Sequence, residues 1–281
     1  MKLSYRLSGE PHVLEYQVYG KPGAPGVVYH HGTIGSARLP DNWAHDAEES
    51  GVQFIVPARP GYGASTPVAE KNLMFWPQVM EALLTDVFAT RGIHRVAALG
   101  ISGGAPYACV LAAADARIGR LWLLSAVPAI TDTDVASALS TRESALWQHY
   151  AHTPTTALIE ELCQFLHAFD TDSIEGIEPA EREWLGHALV ETLAHDGLGG
   201  INDMQRIAND WGFDPFHHGF STDAWHAVND ESVSFASAEA FYRKLHDVRL
   251  HRVEHGGHFI TAETRAALFR QIQLWALEDE D

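Results

Sequence analysis

The stretch that decides the fold is Gly100-Ile101-Ser102-Gly103-Gly104, which lies between an apolar run typical of a buried strand and a stretch typical of a helix. It matches G-x-S-x-G, a pattern that requires this strand-to-helix setting. A serine at so sharp a turn has strained backbone angles, at a cost of about 1–3 kcal/mol. Gly100 and Gly104 have no side chains and relieve the crowding. The stretch therefore predicts a serine hydroxyl raised above the edge of a sheet.

Outside this stretch, short apolar runs alternate with helical patterns, which predicts a parallel sheet covered by helices on both faces. The predicted strands are residues 3–7, 13–19, 27–30, 52–56, 95–99, 121–124, 224–228 and 248–253. The predicted helices are residues 72–91, 105–116, 238–245 and 264–277. The first two strands alternate as in an antiparallel hairpin, with Ser8-Gly9-Glu10-Pro11 as the turn.

The alternation stops between residues 131 and 220, where the sequence has helical periodicity and no convincing strand. The clearest example is the segment 158–166, whose apolar residues recur at helical spacing. This pattern predicts a helical insertion in an otherwise α/β chain. The expected division is a core domain of residues 1–130 and 221–281 and a helical cap of residues 131–220.

The length, charge and cysteine content of the chain indicate which classes of partner and location to expect. The chain has 281 residues, enough for one large α/β domain with an insertion. Its formal net charge of −18 repels phosphate backbones, so nucleic acid is not an expected partner. The longest apolar run, near residues 121–130, is shorter than the roughly 20 residues that span a bilayer. No targeting segment is evident, and Cys109 and Cys163 form no disulfide framework, which together favour a cytoplasmic protein.

The expected base for the serine is His258, although 17 histidines are available. It lies in His255-Gly256-Gly257-His258-Phe259, a loop between the last strand and the last helix. That position lets its imidazole reach over the carboxyl edge of the sheet. His255 is the alternative, but it follows the strand too closely to reach the nucleophile.

The base needs an acid that orients it, and Asp230 is the expected one. It comes just after a predicted strand, and the order Ser102, Asp230, His258 is the order expected for this arrangement. Asp132, which follows the strand at 121–124, is a geometric alternative. Glu231 is adjacent to Asp230 but is expected to point elsewhere.

A second glycine-rich loop, His31-Gly32-Thr33-Ile34-Gly35, follows the strand at 27–30. It can bring a backbone N–H over the serine. We therefore expect the N–H groups of Thr33 and Gly103 to form an oxyanion hole. The loss of one such donor typically lowers the rate by about 10²–10³.

The sequence gives no sign of a metal or an organic cofactor. His149 and His152 can share a helical face, but no carboxylate completes a pattern such as H-E-x-x-H. The pairs His30-His31 and His217-His218 have no further ligands beside them. The glycines around Ser102 do not form G-x-G-x-x-G, so no dinucleotide is expected.

Four segments together resemble the α/β-hydrolase superfamily, and the likeness covers nearly the whole chain. They are His31-Gly32-Thr33-Ile34-Gly35-Ser36, Arg59-Pro60-Gly61-Tyr62-Gly63-Ala64-Ser65, Gly100-Ile101-Ser102-Gly103-Gly104 and Gly256-Gly257-His258-Phe259. Asn229-Asp230-Glu231-Ser232-Val233 also resembles the family's acid loop. The resemblance implies an eight-stranded, mostly parallel sheet with a helical cap inserted after the sixth strand.

The departures from the family pattern narrow the expected chemistry. Relatives that open epoxides or dehalogenate use an aspartate where this chain has Ser102. Relatives that release N-terminal proline usually have a tryptophan in the serine turn, and this chain has none. The preferred expectation is a serine hydrolase that acts through an acyl-enzyme on a carboxylic ester, thioester or lactone with an apolar acyl part.

Three alternatives stay open at this stage. An aminopeptidase of the proline iminopeptidase type could bind a cationic amino terminus through Glu160, Glu161 or Glu183. A carbon–carbon lyase or a ligand receptor could use the same pocket. Some of the cap aromatic residues are expected to line an apolar pocket over Ser102. The candidates are Trp147, Tyr150, Phe165, Phe169, Trp184, Trp211 and Phe213.

Overall fold

Eight strands form a single sheet in the computed structural model, which describes residues 1–174, 177–216 and 221–278. They are β1 (Lys2–Leu7), β2 (Glu10–Tyr19), β3 (Gly26–His30), β4 (Gln53–Pro57), β5 (Val96–Ile101), β6 (Ile118–Leu124), β7 (Thr222–Ala227) and β8 (Val248–Val253). Their order in the sheet is β1-β2-β4-β3-β5-β6-β7-β8. The β1–β2 and β2–β4 pairs are antiparallel and the other pairs are parallel. This confirms the predicted eight-stranded, mostly parallel sheet.

Ten α-helices occur in the described part of the chain. They are α1 (Asp41–Glu49), α2 (Trp76–Arg91), α3 (Ala105–Ala114), α4 (Thr133–Ala138), α5 (Thr141–His152), α6 (Thr155–Ala168), α7 (Pro179–Thr192), α8 (Leu198–Ile207), α9 (Phe235–Tyr242) and α10 (Ala262–Leu277). Short 3₁₀ turns lie at Leu73–Phe75, Ser102–Gly104, Thr171–Ser173 and Ala194–Gly197. None of the helices in these described residues is long and apolar enough to cross a membrane.

The sheet has an apolar layer on each face, because successive side chains of its buried strands point to opposite sides. On one face, Val28 of β3 and Leu123 of β6 belong to a cluster that includes residues of α2, α3 and α9. On the other face, Trp122 of β6 packs edge-on against Trp275 of α10, with ring centroids 5.5 Å apart. Helix α1 contributes Trp43 to this second cluster. Helices therefore cover both faces, as the sequence predicts.

The parallel strands β3, β5, β7 and β8 end at the same edge of the sheet. The residues that follow them include the four predicted positions Thr33, Ser102, Asp230 and His258 in that order. The carboxyl edge of an open α/β sheet is where ligands bind in folds of this type. The topology therefore brings together residues that are far apart in the chain.

Helices α4 to α8 all lie between β6 and β7, and the described residues of this segment form no strand. Helix α8 packs directly on the core, with backbone against backbone. A Cβ atom added at Gly199 would lie 2.6 Å from the carbonyl carbon of Gly61. A separate cap domain of residues 131–220 stays a prediction, and its last four residues lie outside the described ranges.

Three local predictions differ from the structure. The helix predicted at 238–245 lies three residues earlier, as α9 at Phe235–Tyr242. The first hairpin turn has two residues, Ser8 and Gly9, because β2 already begins at Glu10 and pairs there with Leu7. Both turn residues have positive φ angles, 52° and 87°, as a tight hairpin turn of this length requires. Helix α1 was not predicted; it is short, and only Trp43 and Ala47 of its nine residues are buried.

Both cysteines are free in the structure. Cys109 is buried in α3, and burial raises the pKa of its thiol to about 12, so it is present as the neutral thiol. Cys163 lies on α6 and is partly exposed.

The contact between α8 and the core predicts opposite effects of two glycine-to-alanine substitutions. Gly199→Ala forces apart two backbones and should lower the free energy of unfolding by about 1–3 kcal/mol. Gly186→Ala is the matched control, because Gly186 lies on exposed α7 with open space around it. It should raise stability by up to about 1 kcal/mol through helix propensity. Urea unfolding measures both, and equal effects of the two substitutions would contradict the close contact.

Candidate active site

Ser102 occupies the sharp turn between β5 and α3 with a positive φ of 51°. The glycines two positions before and after it could not carry side chains. A Cβ atom at Gly104 would lie 2.2 Å from the carbonyl oxygen of His30, and one at Gly100 would lie 2.6 Å from the Cα atom of Ala105. The left-handed region is unfavourable for serine, so the surrounding packing has to hold it there.

Ser102, His258 and Asp230 form a continuous hydrogen-bonded chain. The Nε2 atom of His258 lies 2.9 Å from Oγ of Ser102, and its Nδ1 atom lies 2.8 Å from Oδ2 of Asp230. An ionised carboxylate can only accept, so Nδ1 carries the proton and Nε2 accepts from the serine hydroxyl. The Asp230 side chain is fully buried, whereas that of His258 is 20% exposed. The structure therefore brings together the three residues that the sequence singles out.

The alternative residues are engaged elsewhere or face solvent. Asp132 caps the start of α4, and its carboxylate accepts a hydrogen bond from Lys244 at 2.5 Å. Burial would raise the pKa of Asp132, but Lys244 and the backbone N–H groups at the start of α4 together outweigh burial and lower this pKa. His255 and Glu231 are exposed. Asp230 is the carboxylate that contacts His258.

The Asp230 carboxylate is fixed by groups on the side away from His258. Its Oδ1 atom accepts hydrogen bonds from the backbone N–H groups of Ser232 and Val233, at 2.8 and 2.9 Å. The Nε2 atom of His226 lies 3.4 Å from Oδ2. Burial alone would raise the pKa of Asp230, but the bonds from His226 and His258 outweigh it and hold this pKa well below its usual range. The acid therefore stays ionised.

His226 is a site residue that the sequence reasoning missed. Its Nε2 atom lies 2.9 Å from the carbonyl oxygen of Val233, which can only accept, so Nε2 carries a proton. Its Nδ1 atom lies 3.1 Å from the hydroxyl of Tyr242. The oxygen of that hydroxyl accepts a hydrogen bond from the N–H of Ala126. The available signal was the place of His226 on a buried strand, four residues before the acid.

The two residues whose N–H groups are predicted as oxyanion donors lie next to each other. A Cβ atom at Gly103 would lie 3.5 Å from the backbone nitrogen of Thr33. The N–H of Gly103 is in the first helical turn, where backbone donors lack acceptors within the helix. No acceptor in the described part of the chain takes the N–H of Thr33. Neither N–H therefore has a partner among the described residues.

His30 and His31 are structural, neutral residues. Burial lowers the pKa of His30 to about 3, and the indole N–H of Trp76 donates to its Nε2 atom at 3.0 Å. Burial also lowers the pKa of His31 well below its usual value. Its Nε2 atom accepts from the N–H of Arg59 at 3.1 Å. Neither ring is available as a base.

The other histidines set aside in the sequence do not form a metal site either. His149 bonds to Glu161 at 2.7 Å, and His152 bonds to the carbonyl of Gln148. Among residues 1–174, 177–216 and 221–278, no group of three or more potential ligands is arranged to hold a metal ion. The pair His217-His218 lies outside the described residues.

Apolar side chains of α8 lie over the serine turn. The sulfur of Met204 is 3.5 Å from Oγ1 of Thr33, and Cδ1 of Ile207 would lie 3.6 Å from a Cβ atom at Gly103. Ile34, in the same loop as Thr33, packs against a cluster that includes Leu158 of α6 and Ile201 of α8. The surroundings of the two free N–H groups are therefore largely apolar on the α8 side.

The predicted aromatic residues of the cap are divided between packing and a cavity. Trp147 is buried, and Phe165 and Phe169 pack against each other at 5.5 Å. Trp211 and Phe213 line a cavity of about 760 Å³. None of Ser102, Asp230 and His258 is among the described residues that line this cavity.

Comparisons with known proteins identify the fold. A bromoperoxidase from Bacillus anthracis superimposes with a TM-score of 0.68 at 18% identity, covering 99% of this chain and 100% of that one. An esterase from Exiguobacterium antarcticum gives 0.66 at 17% identity, with 95% and 96% covered. A hydrolase from Pseudomonas aeruginosa gives 0.68 at 16% identity, with 99% and 98% covered.

The chain therefore has the α/β-hydrolase fold, over nearly its whole length. At the level of sequence, no protein-family model matches it. No curated protein matches it either.

The low pKa of Asp230 predicts how stability responds to acid. An unfolded aspartate has a pKa of about 3.9, so ionised Asp230 stabilises the fold above that pH, and the stabilisation is lost as the pH falls below it. The free energy of unfolding should fall more steeply in the wild type than in Asp230→Asn between about pH 5 and about pH 2. Denaturant titrations across this range measure the difference. Parallel curves would contradict the assigned hydrogen bonds.

Proposed function

We propose that this chain is a serine hydrolase in which Ser102 is the nucleophile, His258 the base and Asp230 the acid that orients the base. The observation that carries the proposal is the pair of hydrogen bonds, 2.9 and 2.8 Å long, that joins these three side chains at the serine turn. A serine needs an adjacent base to become nucleophilic, and the base needs a third group to orient it.

In the proposed reaction, the Oγ atom of Ser102 attacks the carbonyl carbon of the substrate while Nε2 of His258 takes the hydroxyl proton. Asp230 keeps the remaining ring proton on Nδ1 and stabilises the imidazolium that forms. The same proton then passes to the leaving group as the tetrahedral intermediate collapses to an acyl-enzyme. A water molecule, activated by His258, releases the acid.

The N–H groups of Thr33 and Gly103 are the proposed oxyanion hole. They belong to neighbouring residues beside Ser102, and no acceptor among the residues that the structure describes takes either of them. Preorganised donors of this kind stabilise negative charge that develops only in the transition state, and each contributes about 10²–10³ in rate.

The proposed substrate is a carboxylic ester, thioester or lactone whose acyl part is apolar. Met204, Ile207 and Ile34 support this, because they surround the oxyanion donors with apolar groups. The fold shared with the esterase from Exiguobacterium antarcticum is consistent with such a substrate. The aminopeptidase alternative gains no support, because Glu160, Glu161 and Glu183 are all exposed on the outer faces of their helices.

We also propose a cytoplasmic location. The support is the pair of unbridged cysteines, one of which is buried as a neutral thiol in the core.

The nucleophile is tested by a fluorophosphonate probe, which reacts with activated serines. Wild-type protein should be labelled on Ser102, and Ser102→Ala should lose both labelling and ester turnover while it unfolds at the same temperature. Ser125→Ala is a matched control, because Ser125 is a second serine with positive φ, 46°, at the end of a neighbouring strand. It should keep labelling and turnover.

The substrate class is tested on nitrophenyl esters of increasing acyl length, lactones and aminoacyl anilides. Rising kcat/KM with acyl length supports the proposal. Turnover of the anilides alone would replace it with an aminopeptidase. Labelling without turnover of any of these compounds would favour a lyase or a receptor, and an unlabelled wild-type protein would refute the nucleophile.

The acid is tested by comparing Asp230→Asn with Asp132→Asn. Asn at position 230 cannot hold the charged ring of His258 in the required tautomer, so kcat should fall by about 10³–10⁴. Asp132→Asn should leave kcat nearly unchanged, because that carboxylate bonds to Lys244 and the start of α4. Steady-state kinetics measure both values of kcat. A larger loss of kcat in Asp132→Asn would make Asp132, and not Asp230, the acid that orients His258.

A further inference from the structure

A fully buried guanidinium lies behind the loop that carries Thr33. Arg59 donates through Nε to Oδ2 of Asp203 at 2.8 Å. Its two terminal nitrogens donate to the carbonyl oxygens of His31 and Gly32, and the second of these bonds is 2.9 Å long. All five donors of an arginine lie in one plane, so these bonds fix the loop in a single orientation.

The bond to Gly32 acts on the next residue through the geometry of the peptide bond. The C=O of Gly32 and the N–H of Thr33 belong to one planar trans unit and point in opposite directions. The guanidinium and the Nδ1 atom of His31, 2.8 Å away, both bond to this oxygen and so hold the N–H on the opposite side of the peptide. Gly32 and Thr33 lie beside Ser102 and Gly103. The hydroxyl of Tyr62 donates to the carbonyl oxygen of Thr33 at 3.0 Å and fixes the following peptide as well.

We propose that Arg59 is a positioning residue that aims the Thr33 N–H at the oxyanion and makes it a stronger donor. The polarisation follows because a peptide oxygen bound to a cation withdraws electrons from its own N–H. The inference rests on the proposed oxyanion hole and extends it to residues that never touch the substrate.

The partner of Arg59 comes from the helical segment inserted after β6. Asp203 lies on α8, is fully buried, and accepts a hydrogen bond at 2.5 Å from the hydroxyl of Tyr107 on α3. One carboxylate therefore joins α8, the helix that follows Ser102 and, through Arg59, the Thr33 loop. The position of α8 and the direction of the Thr33 N–H are linked by this contact.

The charge of the cluster also suits an oxyanion. Arg206 of α8 lies 3.4 Å from Asp203 and donates to the carbonyl oxygens of Val68 and Glu70. Burial raises the pKa of Tyr107 well above its usual range, so this tyrosine stays neutral. The two arginines and the single aspartate leave an excess of one positive charge in a site without solvent. Such a charge favours a negative oxygen at the adjacent N–H groups.

Arg59→Lys tests the inference, with Arg206→Lys as the matched control. Both substitutions keep the charge and remove a planar fork from the same buried cluster, but only Arg59 reaches the carbonyls of the Thr33 loop. Loss of a whole oxyanion donor lowers kcat by about 10²–10³, so a misdirected donor should lower it by at least about tenfold. In Arg59→Lys we expect this loss in kcat and in the rate of fluorophosphonate labelling, with KM nearly unchanged. Arg206→Lys keeps the positive charge and all bonds to the Thr33 loop, so both rates should fall much less than in Arg59→Lys.

A measurement that needs no substrate separates this inference from the proposed function. In ¹⁵N-labelled protein, the amide proton of Thr33 should shift in Arg59→Lys and stay in place in Arg206→Lys. If Arg59→Lys does not fold, Asp203→Asn serves instead, because it keeps the shape and an acceptor while removing the charge opposite Arg59. If the fluorophosphonate probe does not label the wild-type protein but the Thr33 amide still shifts in Arg59→Lys, the proposed hydrolase is refuted. The positioning role of Arg59 is then retained.

Two outcomes would overturn the inference itself. One is an unmoved Thr33 amide with wild-type labelling in folded Arg59→Lys. The other is an equal loss of rate in Arg59→Lys and Arg206→Lys, in proportion to their unfolding temperatures, which would make the cluster a purely structural support.

Discussion

Ser102 keeps its left-handed backbone conformation because the groups packed around its turn leave no space for another conformation. The preceding strand is buried in the middle of the sheet, and the following helix packs so closely that neither flanking glycine could carry a Cβ atom. The carbonyl oxygen of Ser102 is held in turn by the N–H of Val127 at 3.2 Å. The unfavourable angle is therefore maintained by the core of the fold, and it is what lifts the hydroxyl to the edge where the other loops meet.

The groups that surround the hydroxyl are each held from behind by a buried polar partner. The Asp230 carboxylate is held by two backbone N–H groups and His226, and the ring of His226 is held by Tyr242. The loop that carries Thr33 is held by Arg59. Buried hydrogen bonds are directional and apolar contacts are not, so such partners can fix the direction of a group as well as its place. The apolar residues of α8 determine the shape of the surroundings, and these buried hydrogen bonds orient the polar groups of the site.

The sequence was sufficient for the features that depend on local steric rules or on chain order. The serine turn follows from the crowding at Gly100 and Gly104, and Asp230 and His258 follow from their places after successive strands. The length of the hairpin turn was predicted wrongly, and helix α1 was missed. Neither feature has a strong signal in the sequence around it.

The buried polar residues that support the site could not be predicted from the sequence, because their roles depend on tertiary contacts. Arg59 and Asp203 are 144 residues apart, and nothing in either segment indicates the other. Helical periodicity predicted the segment after β6 but could not show which of its helices touch the core. His226 lay within a recognisable strand, but its partner Tyr242 lies on the next helix, so its role depended on tertiary contact.

Helix α8 belongs to the inserted segment by chain order, but it is closely attached to the core. It meets the core backbone to backbone at Gly61 and shares its carboxylate with Arg59, and it begins after three successive residues with positive φ angles, His195, Asp196 and Gly197. Although chain order assigns it to the insertion, its contacts make it part of the scaffold. Anyone who exchanges the insertion for that of another protein with this fold, to recombine specificities, has to keep α8 with the host. The exchange also has to replace the bonds that α7 makes to the core, from Trp43 to Glu181 and from Gly35 to Thr192.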